Sequence, residues 1–257
     1  MKEMKVNADV AAAAVAATSL HMRSENPRGW AVIEGGAVAA VIGLPIAALN
    51  SVSTERVDAD PAVVARLLDQ VADTGLPYSL QLRPGTSPAL AEVAVARGLV
   101  MGYESPLMVL RDDERLGPAQ QVDDLKIREL AWEEVESHVT VGAAGFEAPE
   151  ELMRQLVMSV ERVPGMRFYL GEADGRPVTT GLSVTVGSHV ALFNIATVPA
   201  ARGRGYGAAI TARAASDGLA AGASWSWLTS SPSGYGVYQR LGYQTVETWQ
   251  VWLSERG

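Results

Sequence analysis

The chain lacks several residue types and patterns on which common functions depend. It has no cysteine, which excludes disulfides, thiolate metal sites and a cysteine nucleophile. Its three histidines, at positions 21, 138 and 189, are far apart in the sequence, so we expect no metal site. The net charge of -8 argues against nucleic-acid and anionic-membrane partners. No apolar run approaches the ~20 residues that would span a bilayer.

The remaining composition is that of a globular protein. Apolar residues make up 48% of the 257 residues and charged residues 19%, enough for one large domain or two of ordinary size. The Ala-rich stretch 10–17 follows two lysines and faintly resembles a signal peptide. Asp9 interrupts its start and alanine is weakly hydrophobic, so we interpret the stretch as a helix. We therefore expect a cytoplasmic protein.

One segment divides the chain. Residues 111–124 (RDDERLGPAQQVDD) are charged, contain Gly117-Pro118 and carry few apolar side chains, which is typical of a linker. We predict a first domain over residues 1–112, a linker over 113–123 and a second domain over 124–257, each domain of ordinary size.

The second part alternates between strand and helix patterns. Asp174-Gly175 is a strong hairpin signal between two β-rich runs. A β-rich run at 189–198 precedes an Ala-rich helix at 205–221, a strand at 224–230, a helix that starts near Ser231-Pro232 and a last strand at 243–253. Trp225 and Trp227 share one strand face and are expected in the core. The first part follows a thinner version of the same order, which suggests an internal duplication at domain scale.

The loop VPAARGRGYGA, residues 198–208, concentrates positive charge and glycine between a strand and a helix. A helix N-terminus leaves about four N–H groups without intrahelical partners, and glycines let the backbone approach an anion. Arg202 and Arg204 add charge for phosphate oxygens. The R-x-x-G-x-G spacing is neither the dinucleotide fingerprint nor the Walker loop. The pattern therefore predicts an anion site of another kind.

Two motifs in this part resemble a known superfamily. The stretch FNIATVPAARGRGYGAAI resembles the acyl-CoA-binding motif of the GNAT N-acetyltransferases, and SSPSGYGVYQRLGYQTV resembles their second signature, Y-x-x-L-G-Y/F. Over 1–110 the resemblance is one of element order alone, because the acidic stretch 53–62 (STERVDADPA) stands where the glycine-rich loop should be. The resemblance implies an α/β (α+β) fold of two GNAT-like domains, each a mixed, mostly antiparallel sheet flanked by helices, with a degenerate N-terminal domain.

The resemblance also implies where acetyl-CoA, the acyl donor, would bind. The pantetheine arm would pair with the backbone of Ile195, Ala196 and Thr197, with Val198 adjacent. The pyrophosphate would lie on backbone N–H groups, helped by Arg202 and Arg204. The segment that supplies those groups comprises Gly203, Arg204, Gly205, Tyr206, Gly207 and Ala208. Tyr206 would pack over the cofactor or the helix start.

The catalytic residues are less fully implied. The tyrosine of the second signature is Tyr238, which would protonate the departing thiolate as general acid, although a packed tyrosine with a satisfied hydroxyl is the alternative. The general base is open, because residues 187–200 contain no acid. Asn194 stands mid-strand and could order a water or bind substrate. Glu147, His138, His189 and a water relay remain candidates for the base.

Together these patterns predict an N-acetyltransferase. It would move an acetyl group from acetyl-CoA to the amine of a small molecule or peptide, by direct transfer in a ternary complex. The alternatives are a non-catalytic acyl-CoA-binding or sensor protein, suggested by the missing strand carboxylate, and a scaffold that binds a partner through its N-terminal half. We expect a monomer or a homodimer.

Overall fold

The computed structural model describes residues 6–111, 116 and 122–254. The chain forms two compact units, one made of Met1–Leu107 with Thr245–Gly257 and one made of Met108–Gln244. The first division lies close to the start of the predicted linker. The last segment of the chain differs from the predicted domains, because it belongs to the first unit and not to the second.

The first unit begins with a helix and a hairpin. Its helices are α1 (Ala8–Arg23), α2 (Pro61–Ala72) and α3 (Pro88–Ala96), and a 3₁₀ turn covers Ala47–Leu49. Its strands are β1 (Trp30–Glu34), β2 (Ala37–Val41), β3 (Ser51–Thr54), β4 (Ser79–Leu82), β5 (Leu99–Leu110, whose last three residues fall in the second unit) and the last strand of the chain, β11 (Gln244–Ser254).

Strands β1, β2 and β3 form an antiparallel meander, and β4 joins it parallel to β3. Strand β11 then pairs antiparallel with β4, with Leu253 opposite Ser79. The core of this unit lies between the sheet and α2, whose buried face is Val64, Leu67, Leu68 and Val71. Each of these side chains is fully buried, so the 3.6-residue spacing of apolar residues fixes which helix face meets the sheet.

The second unit repeats this order in fuller form. Its helices are α4 (Glu136–Phe146), α5 (Glu150–Met158), α6 (Tyr206–Ala220) and α7 (Pro232–Arg240). Its strands are β6 (Leu125–Glu129), β7 (Met166–Ala173), β8 (Arg176–Val186), β9 (His189–Thr197) and β10 (Trp225–Thr229). Strands β6 to β9 pair antiparallel in succession, and β10 lies parallel to β9.

Several predicted features are present. Asp174 and Gly175 both adopt positive φ, as the hairpin between β7 and β8 requires. Trp225 and Trp227 are 2% exposed and lie in the core. Both units contain an antiparallel meander followed by a parallel strand, which is the architecture that the duplicated element order predicted. None of the described helices has both the length and the apolar character needed to cross a membrane.

Candidate functional site

The site is organised by an irregularity in β9. Leu182 of β8 pairs with Phe193 and Thr180 pairs with Ala196, so Gly181 faces two residues, Asn194 and Ile195. Two residues opposite one is a β-bulge, which bends a strand and takes a residue out of the hydrogen-bond ladder. Asn194 adopts the left-handed conformation, with φ of 51°, which asparagine tolerates better than most residues.

Strand β9 leaves its parallel neighbour, β10, before it reaches the bulge. The register of β10 on β9 ends at Trp227 opposite Ala191, whereas β9 continues to Thr197. The last residues of β9 therefore extend past the paired segment. Their backbone is available to a ligand that pairs with it as a strand would.

Helix α6 begins after the loop 198–205, which contains a 3₁₀ turn at Pro199–Ala201, and it has no side-chain cap. Its N-cap is Gly205, with φ of 84°, and no side chain accepts a hydrogen bond from the first turn. Helices α1, α2, α3 and α7 begin instead on Asn7, Asp60, Ser87 and Ser231, each of which accepts from a first-turn N–H, whereas α4 and α5, like α6, have no side-chain cap. The first turn of α6 thus presents N–H groups and the positive end of the helix dipole to an external anion.

These elements surround a cleft of about 620 Å³ within the second unit. Strand β9 contributes Ile195, Ala196 and Thr197. The loop and the start of α6 contribute Ala201, Arg202, Gly203, Gly205, Tyr206, Gly207 and Ala208. The end of α4 contributes Gly145, Phe146 and Glu147, and α7 contributes Ser231, Ser233, Gly234, Val237, Tyr238 and Arg240. One concave site therefore brings together both sequence motifs.

Arg202 spans the cleft wall. Its Nη2 donates to the carbonyl of Gly145 at 2.8 Å and lies 3.3 Å from the carboxylate of Glu147, and its Nε donates to the carbonyl of Thr197. Both charged side chains are at least half exposed. Arg202 therefore links the end of α4 to the end of β9, in addition to placing positive charge beside the α6 N-terminus.

Tyr206 is the first residue of α6 and packs inside the unit. It is 1% exposed, and its hydroxyl donates to the carboxylate of Asp124 at 2.6 Å, which raises the pKa of the phenol. The guanidinium of the exposed Arg204 opposes this rise in the pKa of the phenol. Tyr206 thus packs at the helix start, one of the two predicted positions, and anchors the loop to the segment before β6. Arg204 and Val198 lie outside the described lining of the cleft.

Tyr238 lies on α7 and lines the cleft as a half-buried side chain. A Cβ on Gly234 would lie 2.9 Å from its Cε2, so the ring lies back over the preceding turn, as helical side chains do. Its other face approaches Tyr243, with ring centroids 6.1 Å apart. Burial raises the pKa of Tyr238 to about 12, so the phenol carries its proton at neutral pH.

The candidate bases occupy different environments. Glu147, which caps α4 in the left-handed conformation, is the only acid among the described residues that line the cleft. His138 is fully buried on α4, its Nδ1 lies 2.5 Å from the hydroxyl of Thr180, and burial lowers its pKa to about 4. His189 is 6% exposed and its ring lies 5.3 Å from that of Trp225. Neither histidine lines the cleft.

Sequence reasoning named Glu147 and Tyr238 but missed the other cleft residues that α4 and α7 supply. Phe146 is 48% exposed at the cleft edge, and Arg240 ends α7. Arg240 stands inside the second signature, so its place in the motif was a usable signal. Phe146 and Asp124 carried none, because their relation to the loop depends on pairing between distant segments. Asn194, predicted as a catalytic residue, forms the bulge and is not among the described lining residues.

Comparisons with known proteins agree with this geometry. Residues 126–243 match the family model described as the acetyltransferase (GNAT) family. A GCN5-related N-acetyltransferase from Kribbella flavida superposes with a TM-score of 0.71 at 23% identity, covering 96% of each chain. A GCN5-related N-acetyltransferase from Sphaerobacter thermophilus gives 0.62 at 13% identity, covering 88% of this chain and 82% of the other. No curated protein matches the chain.

A tandem GNAT protein from the clavulanic acid biosynthesis pathway also superposes, with a TM-score of 0.59 at 15% identity, covering 90% of this chain and 85% of that one. At these identities the solved structures establish the fold alone. Residues 126–243 are similar to the GNAT family by this match, and the chain as a whole has a mixed α/β fold that resembles those of GNAT proteins, a tandem one among them.

Proposed function

We propose that the chain is an acyl-CoA-dependent N-acetyltransferase that moves an acetyl group from acetyl-CoA to an amine acceptor by direct transfer in a ternary complex. The observation that carries the proposal is the α6 N-terminus. It is capped by a glycine without a side-chain acceptor, and it opens onto a cleft that also contains the free end of β9 and Tyr238. Uncapped N–H groups and a helix dipole suit a pyrophosphate.

Each part of the cleft then has a different role in binding or catalysis. The N–H groups of the first turn of α6 hold the pyrophosphate, and the backbone of Ile195 to Thr197, which lies past the segment paired with β10, pairs with the amides of the pantetheine arm. The bulge at Asn194 supplies an N–H for the oxygen of the tetrahedral intermediate, where preorganised donors are most effective. Glu147 accepts the proton of the attacking amine, directly or through a water.

Tyr238 acts at the departing sulfur. A phenol with a pKa of about 12 is protonated throughout the physiological range, so it is ready to donate. A thiol has a pKa of about 8.5, so complete proton transfer from this phenol to the thiolate is uphill. Tyr238 therefore stabilises the thiolate chiefly by donating a hydrogen bond to it as the carbon–sulfur bond breaks.

Titration calorimetry with acetyl-CoA tests the binding step. Gly207 lines the cleft, and a Cβ there meets only the Thr197 hydroxyl, at 3.5 Å, so a small side chain is accommodated. Gly207→Asp places a carboxylate where the helix dipole stabilises it, and we expect at least tenfold weaker binding of acetyl-CoA because the carboxylate repels phosphate. Gly207→Ala is the neutral control and retains affinity. Absence of binding to the wild type would refute the proposal.

Turnover tests the chemistry. We expect Tyr238→Phe to lower kcat for acetyl transfer to a panel of amines while acetyl-CoA affinity is retained, because only the hydroxyl is removed. The second candidate function is a non-catalytic acyl-CoA-binding or sensor protein. It is favoured by Asn194 in place of an acid on β9 and by the contact of Glu147 with Arg202. Tight binding of acetyl-CoA without turnover of any amine would support this alternative.

A further inference from the structure

The end of α4 lies against the end of β9 at a distance that only glycine permits. A Cβ on Gly145 would lie 2.8 Å from the Cβ of Ala196 and 3.2 Å from the backbone nitrogen of Thr197. A larger residue at this position would force the two segments apart. The cleft wall that carries Glu147 is thus held next to the strand end that lines the same cleft.

Glu147 adopts a backbone conformation that glycine usually supplies. It follows the last residue of α4 with φ of 54° and ψ of 39°, the left-handed conformation in which helices commonly end on glycine. A side chain costs free energy in this conformation, and residues held in this way cluster at active sites and ligand clamps. The end of α4 therefore keeps a carboxylate at a position whose backbone favours glycine.

Arg202 makes the contacts that hold this carboxylate. Its Nη2 donates to the carbonyl of Gly145 at 2.8 Å and to Oε1 of Glu147 at 3.3 Å, and its Nε donates to the carbonyl of Thr197 at 3.3 Å. These contacts use both N–H groups of Nη2 and the one of Nε, so protein acceptors orient the guanidinium. The second carboxylate oxygen of Glu147, Oε2, has no hydrogen-bond partner among the described residues and is available to an amine.

We propose that Arg202 is a positioning residue for the acceptor: it fixes Glu147 beside the end of β9, where the carboxylate accepts the proton of the attacking amine. This inference rests on the proposed function, in which Glu147 is the base. Arg202 then contributes little to the affinity for acetyl-CoA, although it belongs to the glycine-rich loop, because backbone N–H groups of α6 hold the pyrophosphate. Its contact with Glu147 orients the base and does not remove it from the reaction.

Two acceptors that differ in their need for a base test the inference. Phenethylamine is an ammonium ion at neutral pH and has to lose a proton, whereas hydroxylamine is already unprotonated. We expect Arg202→Gln to lower kcat for phenethylamine about tenfold, a part of the ~100- to 10,000-fold that a positioned base contributes. The kcat for hydroxylamine and the Kd of acetyl-CoA from calorimetry should change by less than about twofold, because neither depends on Glu147. Arg202→Lys keeps one charged donor and should recover part of the loss.

Two further variants separate positioning from a general structural role. Arg213 of α6 makes contacts of the same kind outside the described cleft lining: it pairs with Asp217 at 2.9 Å and donates to the carbonyl of Ile127 at 3.3 Å. Arg213→Gln should therefore leave transfer to both acceptors unchanged. Because Arg202 acts through Glu147, the double variant Arg202→Gln/Glu147→Gln should transfer to phenethylamine no more slowly than Glu147→Gln alone.

The outcomes separate this inference from the proposed function. A large loss of acetyl-CoA affinity in Arg202→Gln would overturn it and assign the side chain to the pyrophosphate. Equal slowing with both acceptors, or additive losses in the double variant, would also overturn it. A wild type that binds acetyl-CoA but acetylates neither acceptor would remove the role of Glu147 and this inference with it. A wild type that does not bind acetyl-CoA would refute both proposals. Thermal unfolding verifies that each variant is folded, since exposed ion pairs contribute little to stability.

Discussion

Both units contain the same strand–loop–helix connection, β3 to α2 in the first and β9 to α6 in the second, but the strand and the helix N-terminus differ between them. In the first unit, β3 pairs with β4 as far as Ser53 and ends at Thr54, whereas β9 continues from Ala191, the last residue that it pairs with β10, to Thr197. Strand β3 therefore has no extended end at which a ligand could pair. A shared topology fixes where a site can form, and the length of one strand beyond its partner decides whether it does.

The helices that follow show the same contrast. The carboxylate of Asp60 caps α2 by accepting from the N–H of Ala62 at 2.8 Å, and Pro61 occupies the first helical position. In α6 the corresponding cap is Gly205, which offers no acceptor. The first unit supplies its own anion at the helix N-terminus, while the second unit leaves that place to a ligand.

Side chains of the first unit itself also fill the space beside the end of β3. Arg83 follows β4, its side chain is 1% exposed, and it donates to Glu247 of β11 at 2.7 Å and to the carbonyl of Glu55 at 2.6 Å. Its backbone N–H donates to Thr54, and a third contact reaches Asp9 on α1. The guanidinium thus joins the segments that surround the end of β3, where the second unit has a cleft.

The largest effect is expected at this cluster. Arg83→Met leaves the carboxylate of Glu247, which is 8% exposed, without its main partner. We expect it to lower the free energy of unfolding of the first unit by about 3–5 kcal/mol in urea titrations, the usual cost of breaking a buried ion pair. The acetyl-CoA affinity that we propose for the second unit should persist at low urea.

The double variant Arg83→Met/Glu247→Met is the matched control. Because it removes both charges, it should lose less free energy of unfolding than the sum of the two single variants. Additive losses would contradict the ion pair as the source of stability. A loss of acetyl-CoA affinity in Arg83→Met would show that the units are not independent in function.

The second unit buries a titratable group in the neutral form. The hydroxyl of Thr180 donates to the carbonyl of Tyr169 at 2.8 Å, so it accepts from Nδ1–H of His138, and Nε2 is left buried without a partner. The pKa of His138 is about 4 in the folded chain and about 6.5 when unfolded. His138 therefore binds a proton more strongly in the unfolded chain than in the folded chain, and its protonation at low pH favours unfolding.

We expect the stability due to neutral His138 to be complete above about pH 6.5 and to decline by about 3 kcal/mol towards pH 4. Urea unfolding of the wild type and of His138→Leu, measured across this range, isolates the contribution, because leucine does not titrate. A difference between the two proteins that is independent of pH would contradict a depressed pKa.

Variants of Asn194 test whether this residue acts through the backbone conformation of the bulge or through its side chain. Alanine in the left-handed conformation costs about 1–2 kcal/mol, whereas glycine adopts it readily. We expect Asn194→Ala to lower the free energy of unfolding of the second unit by about that amount and Asn194→Gly to lower it much less. If Asn194→Gly also retains acetyl transfer, the residue acts through its backbone. A turnover loss in the glycine variant would restore the side chain to the mechanism.

Local patterns were sufficient for much of this architecture. The glycine-rich loop, the helix after it and the prolines at the first positions of α2, α3 and α7 are encoded within a few residues, and the structure has each of them where the sequence places it. The cleft also gathers most of the residues that the two motifs singled out. Short-range chemistry, namely caps, turns and helix termini, explains why these features are readable.

The features that the sequence did not predict depend on which distant segments of the chain become neighbours. An alternating pattern predicts that residues 243–253 form a strand, but not that β11 pairs with β4 in the first unit. The burial of Arg83 follows from that pairing, because Glu247 belongs to β11. The bulge at Asn194 requires the register of β8 on β9, and no residue near 194 signals it.

The smallest expected effect concerns the cap of α2. Asp60→Ala removes the acceptor for the N–H of Ala62 and should lower the free energy of unfolding of the first unit by about 1 kcal/mol, the typical cost of losing an N-cap. Asp60→Asn, which keeps an acceptor oxygen, is the control and should lose little. Freeing this helix N-terminus should not create a second acetyl-CoA site, because β3 still ends at Thr54 and Arg83 still lies beside it. Calorimetry that finds two bound molecules per chain in Asp60→Ala would show that the cap, and not the strand, separates the two units in function.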